Sequence, residues 1–148
     1  MKINISYKTK LPAALRKTKL FEAAISAAVG RAEFWEINLF FVSGPEMRKI
    51  NKQFLGHDYV TDVISFGFPP AGADIFVCPE TAQKNAPLYK QSVLEELLTY
   101  AAHGALHLAG MDDKTPKLRA AMDRKTAKIL RPFLASKAAP RPKKPRKQ

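Results

Sequence analysis

Residues 92–110, SVLEELLTYAAHGALHLAG, constrain this chain more than any other stretch. Ser92 and Glu95 have the spacing of a capping box. Residues 93–108 are helix formers throughout, with apolar groups on most faces, and that pattern argues for a buried central helix. Gly110 stands where a left-handed C-terminal cap belongs.

This helix carries His103 and His107, four residues apart. That spacing stacks the two rings on one face, about one turn apart, so that both can reach one ion. Gly110 can then reverse the chain and bring Asp113 back, giving the pattern His-x3-His-x2-Gly-x2-Asp. Three protein ligands with an open position for water make a catalytic zinc site, not a structural one. Two imidazoles and a carboxylate suit zinc, with manganese, nickel or iron as alternatives. The bland alternative is a pair of satisfied core histidines, but two imidazoles on a buried helix need partners. Asp113 is either the third ligand or a cap and dipole partner for the helix after Thr115. Asp112 is the competing carboxylate, or an acceptor for a histidine N–H.

The rest of the chain reads as one domain over residues 1–136, followed by a tail. The 148 residues suffice for a single core. No stretch reaches the roughly 20 apolar residues that span a membrane. The alternating N-terminus MKINISYKTK reads as a strand, not a signal peptide. Cys78 is the single cysteine, so no intrachain disulfide forms, and a cytoplasmic location fits.

Strands are expected at 2–7, 36–42, 61–68 and 74–78. Helices are expected at 12–29, from Ser43 through Met47, Ile50 and Phe54, weakly around 80–86, and after Thr115. The last has Leu118, Met122, Ile129, Leu130 and Phe133 as its candidate buried face. Residues 137–148, Pro-rich and cationic, are expected to be disordered.

The formal charge is +12, and the tail carries six of those cations and no acid. Subtracting them leaves about +6 on residues 1–136, so the folded part is basic too. Such a surface attracts polyanions, RNA or DNA foremost, unless it serves only for solubility.

Two families share the histidine pattern. Zinc peptidases of the metzincin type place a glutamate after the first histidine; Gly104 stands there, so their general base is missing. The closer resemblance is to the YbeY family, whose signature reads His-Gly-x-Leu-His-Leu-x-Gly-Tyr-Asp-His, against His103-Gly-Ala-Leu-His-Leu-Ala-Gly-Met-Asp-Asp113 here. INKQFLGHDYVTDVISF (50–66) and DIFVCPETA (74–82) resemble further segments of that family, and the likeness covers about residues 1–135.

The resemblance implies an α/β (α+β) domain, with a small mixed sheet of about four strands packed on helices and a metzincin-like, metal-binding central helix. It implies a zinc-dependent, single-strand-specific endoribonuclease of ribosomal RNA maturation and ribosome quality control, with one Zn2+ per chain. Ribosomal RNA and the small ribosomal subunit are the implied partners.

Two departures matter. Asp113 replaces the family's third metal-binding histidine; it can still ligate zinc but makes the site one charge more negative, which should raise the pKa of bound water. Leu55 replaces an arginine thought to contact substrate phosphate. Arg48, Lys49, Lys52 and His57 are the candidates to stand in, and Ser65, on a strand flanking the cleft, is a further candidate substrate contact. The motif offers no obvious general base. The competing functions are a peptidase and a non-catalytic, RNA-binding ribosome-assembly factor.

Overall fold

The structure, a computed structural model, describes residues 1–134. Its strands are β1 (Lys2–Tyr7), β2 (Glu36–Phe41), β3 (Val63–Phe68) and β4 (Gly72–Val77). Its α-helices are α1 (Thr18–Val29), α2 (Gly44–Leu55), α3 (Pro79–Asn85), α4 (Val93–Leu108) and α5 (Pro116–Leu130). The strands form one mixed sheet in the order β1-β2-β4-β3. β1, β2 and β4 run parallel, and β3 returns antiparallel to β4 across the Pro69–Ala71 turn. This is the mixed four-stranded α/β domain the sequence implies.

The period-2 alternation of the strands sorts the sheet into two faces. Ile37, Leu39 and Phe41 of β2 and Ala73, Ile75 and Val77 of β4 join the larger core with α1, α4 and α5. The residues between them face the other way. There Phe40, Phe66 and Phe76 pack with Ile64 against Met47 and Ile50 of α2. α2 and α4 therefore cover opposite faces of the sheet.

α4 is the centre of the larger core, and every residue from Glu96 to Leu106 is buried. Its capping box forms as the sequence implies, with Glu95 N–H donating to Ser92 Oγ (3.1 Å) and Ser92 N–H to Glu95 Oε1 (2.9 Å). Gly104 is where α4 meets the sheet. A Cβ there would lie 2.7 Å from Ile75 Cγ2 and 3.2 Å from Val63 Cγ2. The missing side chain thus sets how near the helix lies to β3 and β4.

Several expected boundaries shift. The helix expected over 12–29 is a short 3-10 turn (Ala13–Leu15) and then α1, because Arg16 leaves helical geometry and its Nε donates to Leu11 O. β3 starts at Val63, after Asp62, whose side chain accepts the Val63 N–H (2.8 Å). β4 starts at Gly72, in register opposite Phe68. On α5, Met122 and Leu130 are buried as expected and Ile129 and Phe133 pack partly against the core, but Leu118 is exposed and Thr126 takes an inward position. Thr126 can do so because its hydroxyl donates to Met122 O within the helix (2.8 Å). No helix among the described residues is long and apolar enough to cross a membrane. The basic segment 137–148 lies outside the described residues.

Candidate active site

The last two turns of α4 hold His103 and His107 on one face. His103 is 3% exposed; His107 is half-buried. The helix then closes in a Schellman motif: Met111 N–H donates to Leu106 O (3.0 Å) and Gly110 N–H to His107 O (3.0 Å). Gly110 takes φ +98°, a conformation nearly closed to other residues. Met111 packs on the core beside Leu106, which fixes the direction of the returning chain.

That return brings Asp113 to His107. Asp113 Oδ2 lies 3.5 Å from His107 Nε2, and the other ring nitrogen, Nδ1, lies 3.0 Å from Met111 O. A carbonyl only accepts, so Nδ1 must carry the proton. In the neutral ring, Nε2 then keeps its lone pair, pointed toward Asp113. The hydrogen bond to Asp113 holds the His107 pKa above its ordinary value, against the opposing effect of burial. The same contact lowers Asp113, helped by the nearby charges of His107 and His103.

The two alternatives for these carboxylates find other occupants. Asp112 turns outward and accepts the Lys114 N–H (2.8 Å). The cap of α5 is Thr115, whose Oγ accepts the Leu118 N–H (3.1 Å). Asp113 is therefore not spent on capping.

A fourth group completes this corner. Asp123, on α5, has Oδ1 3.3 Å from His103 Nε2. It carries no motif signal, being separated from His103 by the whole helical hairpin. As the side chains stand, these donors form two N–O pairs, and among the described residues no three His, Cys, Asp or Glu groups gather around one point.

The candidate substrate residues fall in two places. Ser65 lies on the α4 face of β3, two residues from Val63, which meets Gly104. Arg48 and Lys52 lie on α2, across the sheet. Both turn to Asp58, at 2.8 and 3.9 Å. The hydrogen bond with Arg48 is the main cause of a lowered Asp58 pKa and a raised Arg48 pKa. His57 stacks on Tyr59 with ring centroids 5.4 Å apart. Leu55 is 49% exposed and offers no charge to a phosphate. Cys78 is fully buried, with its thiol pKa raised chiefly by desolvation, and takes no part in this corner.

Known proteins resemble this chain over most of its length. The family model described as Endoribonuclease YbeY matches residues 3–134. Endoribonuclease YbeY of Elusimicrobium minutum is 57% identical over 141 residues, covering 88% of this chain and 98% of that protein. Its namesake from Phocaeicola vulgatus is 34% identical over 133 residues, covering 85% and 96% respectively. The solution structure of TM1509 from Thermotoga maritima superposes with a TM-score of 0.57 at 26% identity, covering 88% of this chain and 91% of that one.

Proposed function

The chain belongs to the endoribonuclease YbeY family, and on that premise we propose that it is a zinc-dependent endoribonuclease cutting single-stranded RNA during ribosomal RNA maturation and ribosome quality control. The observation that carries the metal part of this reading is the His107 ring. Nδ1–H donates to Met111 O, which leaves the Nε2 lone pair of the neutral ring facing Asp113. A carbonyl on the far nitrogen is what orients a metal-ligating histidine and sets its tautomer.

His103, His107 and Asp113 would hold the ion, one per chain. When bound, the metal supplies Lewis acidity toward the phosphate diester and acidifies water. The chain's own residues do the rest. α4 fixes the two imidazoles in a wall that bends little, because its buried face is packed from Glu96 to Leu106. β3 lies beside α4 at the end of the sheet order, and Ser65 faces the same side as the histidines. An extended RNA strand along β3 would pass the open end of the site.

The net charge of +12 supports a polyanionic partner such as ribosomal RNA on the small ribosomal subunit, met in the cytoplasm. A peptidase is disfavoured by the packing at Gly104. A glutamate there would have to start 2.7 Å from a methyl of Ile75, so α4 cannot carry the peptidase base without moving off the sheet.

The test has two parts. Elemental analysis of the purified protein should find about one zinc per chain, lost in His107→Ala. The zinc-loaded protein should cut a single-stranded ribosomal RNA fragment and spare its duplex form and a peptide substrate. Zinc without RNA cleavage would move the assignment to a metal-stabilised RNA-binding factor.

A further inference from the structure

Among the described residues, the two most exposed large apolar side chains are both aromatic, Trp35 (71%) and Phe68 (70%). They stand at one end of the sheet. Glu36, Gly72 and Phe68 are in register across β2, β4 and β3, so Phe68 lies about 10 Å from the start of β2, where Trp35 precedes Glu36. Backbone hydrogen bonds hold this end together. Trp35 N–H donates to Pro70 O (2.8 Å), two residues after Phe68, and Lys2 N–H donates to Trp35 O (3.0 Å). Apolar side chains scattered singly over a surface need no explanation, but these two have informative neighbours. Phe66 shares the α2 face of β3 with Phe68, and its ring centroid lies 5.1 Å from that of Phe54 near the end of α2. The same helix carries the exposed cations Arg48 and Lys52. On the other face of β3, Gly67 meets the residue after His107: a Cβ there would lie 3.0 Å from Leu108 Cδ2. β3, at the end of the sheet order, thus stands between the cations of α2 and the histidine end of α4.

We infer that Trp35 and Phe68 form a stacking platform for unpaired bases of single-stranded RNA, occupied as the strand rounds β3 from α2 toward the histidines. This rests on the RNA reading above and not on its metal. Charge divides the work. Arg48 and Lys52 on α2 attract phosphates, whereas at the sheet end Lys2 is in register with Glu36 and no excess of cations remains. Glu36 and Asp74, on the same sheet face as Phe68, accept from Asn4 Nδ2 and Asn38 Nδ2. These carboxylates repel phosphate but can accept further hydrogen bonds from the amino groups of bases. An apolar protein surface laid on the rings would strip them of water and return no hydrogen bonds. A nucleobase, with apolar faces and polar edges, suits rings bordered by acceptors. Every base has such a face, so the platform tolerates sequence. A duplex keeps its bases stacked on one another, so the platform also selects single strands.

Trp35 is the single tryptophan of the chain, so its fluorescence reports on the platform directly. The full chain, held metal-free by a chelator so that RNA stays intact, is titrated with a short oligoadenylate, an abasic strand of equal length and an RNA duplex. The inference expects the oligoadenylate to quench Trp35 and the other two to leave it unquenched. By anisotropy of a labelled oligoadenylate, Trp35→Leu and Phe68→Leu should each bind about 5–150-fold more weakly. Trp35→Phe and Phe68→Tyr, which keep a ring, should recover most of the affinity. All four should bind the abasic strand as the wild type does. Circular dichroism controls for folding. Wild-type affinity for oligoadenylate in either leucine variant, or saturation without quenching, would overturn the inference and leave the RNA reading standing. Equal losses for the abasic strand would also overturn it, since the contact would then be to the backbone. A wild-type dimer in sedimentation that Phe68→Leu disperses would give the patch to a second copy of the chain. A wild type that binds no RNA would defeat the RNA reading and the inference together. If a leucine variant does not fold, the wild-type quench decides.

Discussion

The backbone carbonyl of Met111 lies 3.0 Å from Nδ1 of His107, four residues earlier, and so dictates which nitrogen of that ring is free. The contact exists because Gly110 takes φ +98° and lets the chain double back over the end of α4. Gly110→Ala should therefore act at a distance. The left-handed conformation costs an alanine about 1–2 kcal/mol, and relief of that strain pulls Met111 O and Asp113 away from His107. Thermal unfolding should show the loss of stability, and calorimetry a zinc affinity reduced at least severalfold.

Gly104 makes a second prediction. Ile75 is fully buried on a central strand and cannot swing aside for a new side chain. Gly104→Val should cost at least about 2 kcal/mol through overpacking, read as a lower denaturation midpoint with an unchanged slope. Leu118→Ala, on the exposed side of α5, should change the midpoint little.

In the metal-free protein the His107–Asp113 pair links stability to pH. Asp113 is lowered from an ordinary 3.8, and His107 raised from an ordinary 6.5, each mainly by their shared hydrogen bond. A lowered carboxylate stabilises the fold above its unfolded pKa and stops doing so as pH falls through its folded value. A raised imidazole stabilises below its unfolded pKa and stops as pH rises through its folded value. The pair is thus fully effective between about pH 4 and 6.5. Asp113→Asn should lower the melting temperature of the metal-free protein within that window, and the deficit should shrink as pH rises past the raised His107 pKa. A deficit independent of pH would show that Asp113 acts by packing alone.

Arg48 and Lys52 are predicted to help bind RNA without touching the chemistry. They lie on α2, on the sheet face opposite α4, and are well exposed beside Asp58. Arg48→Ala should weaken RNA binding and reduce the slope of log affinity against log salt by about 1, leaving the cleavage rate at saturating RNA unchanged. Because exposed ion pairs add little to stability, the variant should melt near the wild type.

Much of this was legible in the chain itself. The apolar run and capping box announced α4, and the histidine spacing with Gly110 announced a turn that returns Asp113 to the helix end. Local pattern could not say that Arg48 and Lys52 would lie across the sheet from the histidines, because that depends on which strand face α2 covers. It also could not reveal Asp123, whose partner is set by the packing of α5 on α4. Leu118 was misplaced for a related reason. Its helical spacing fits the inward face, but at the first turn of α5 it lies beyond the part that packs on the core.

The decisive measurement is cleavage of a single-stranded ribosomal RNA fragment by stripped protein, zinc-reloaded protein and zinc-treated His107→Ala. The proposed function requires no cleavage by the stripped chain, recovery with about one zinc per chain, and no recovery in the variant. Equal cleavage by all three would contradict it and place the chemistry away from His103, His107 and Asp113.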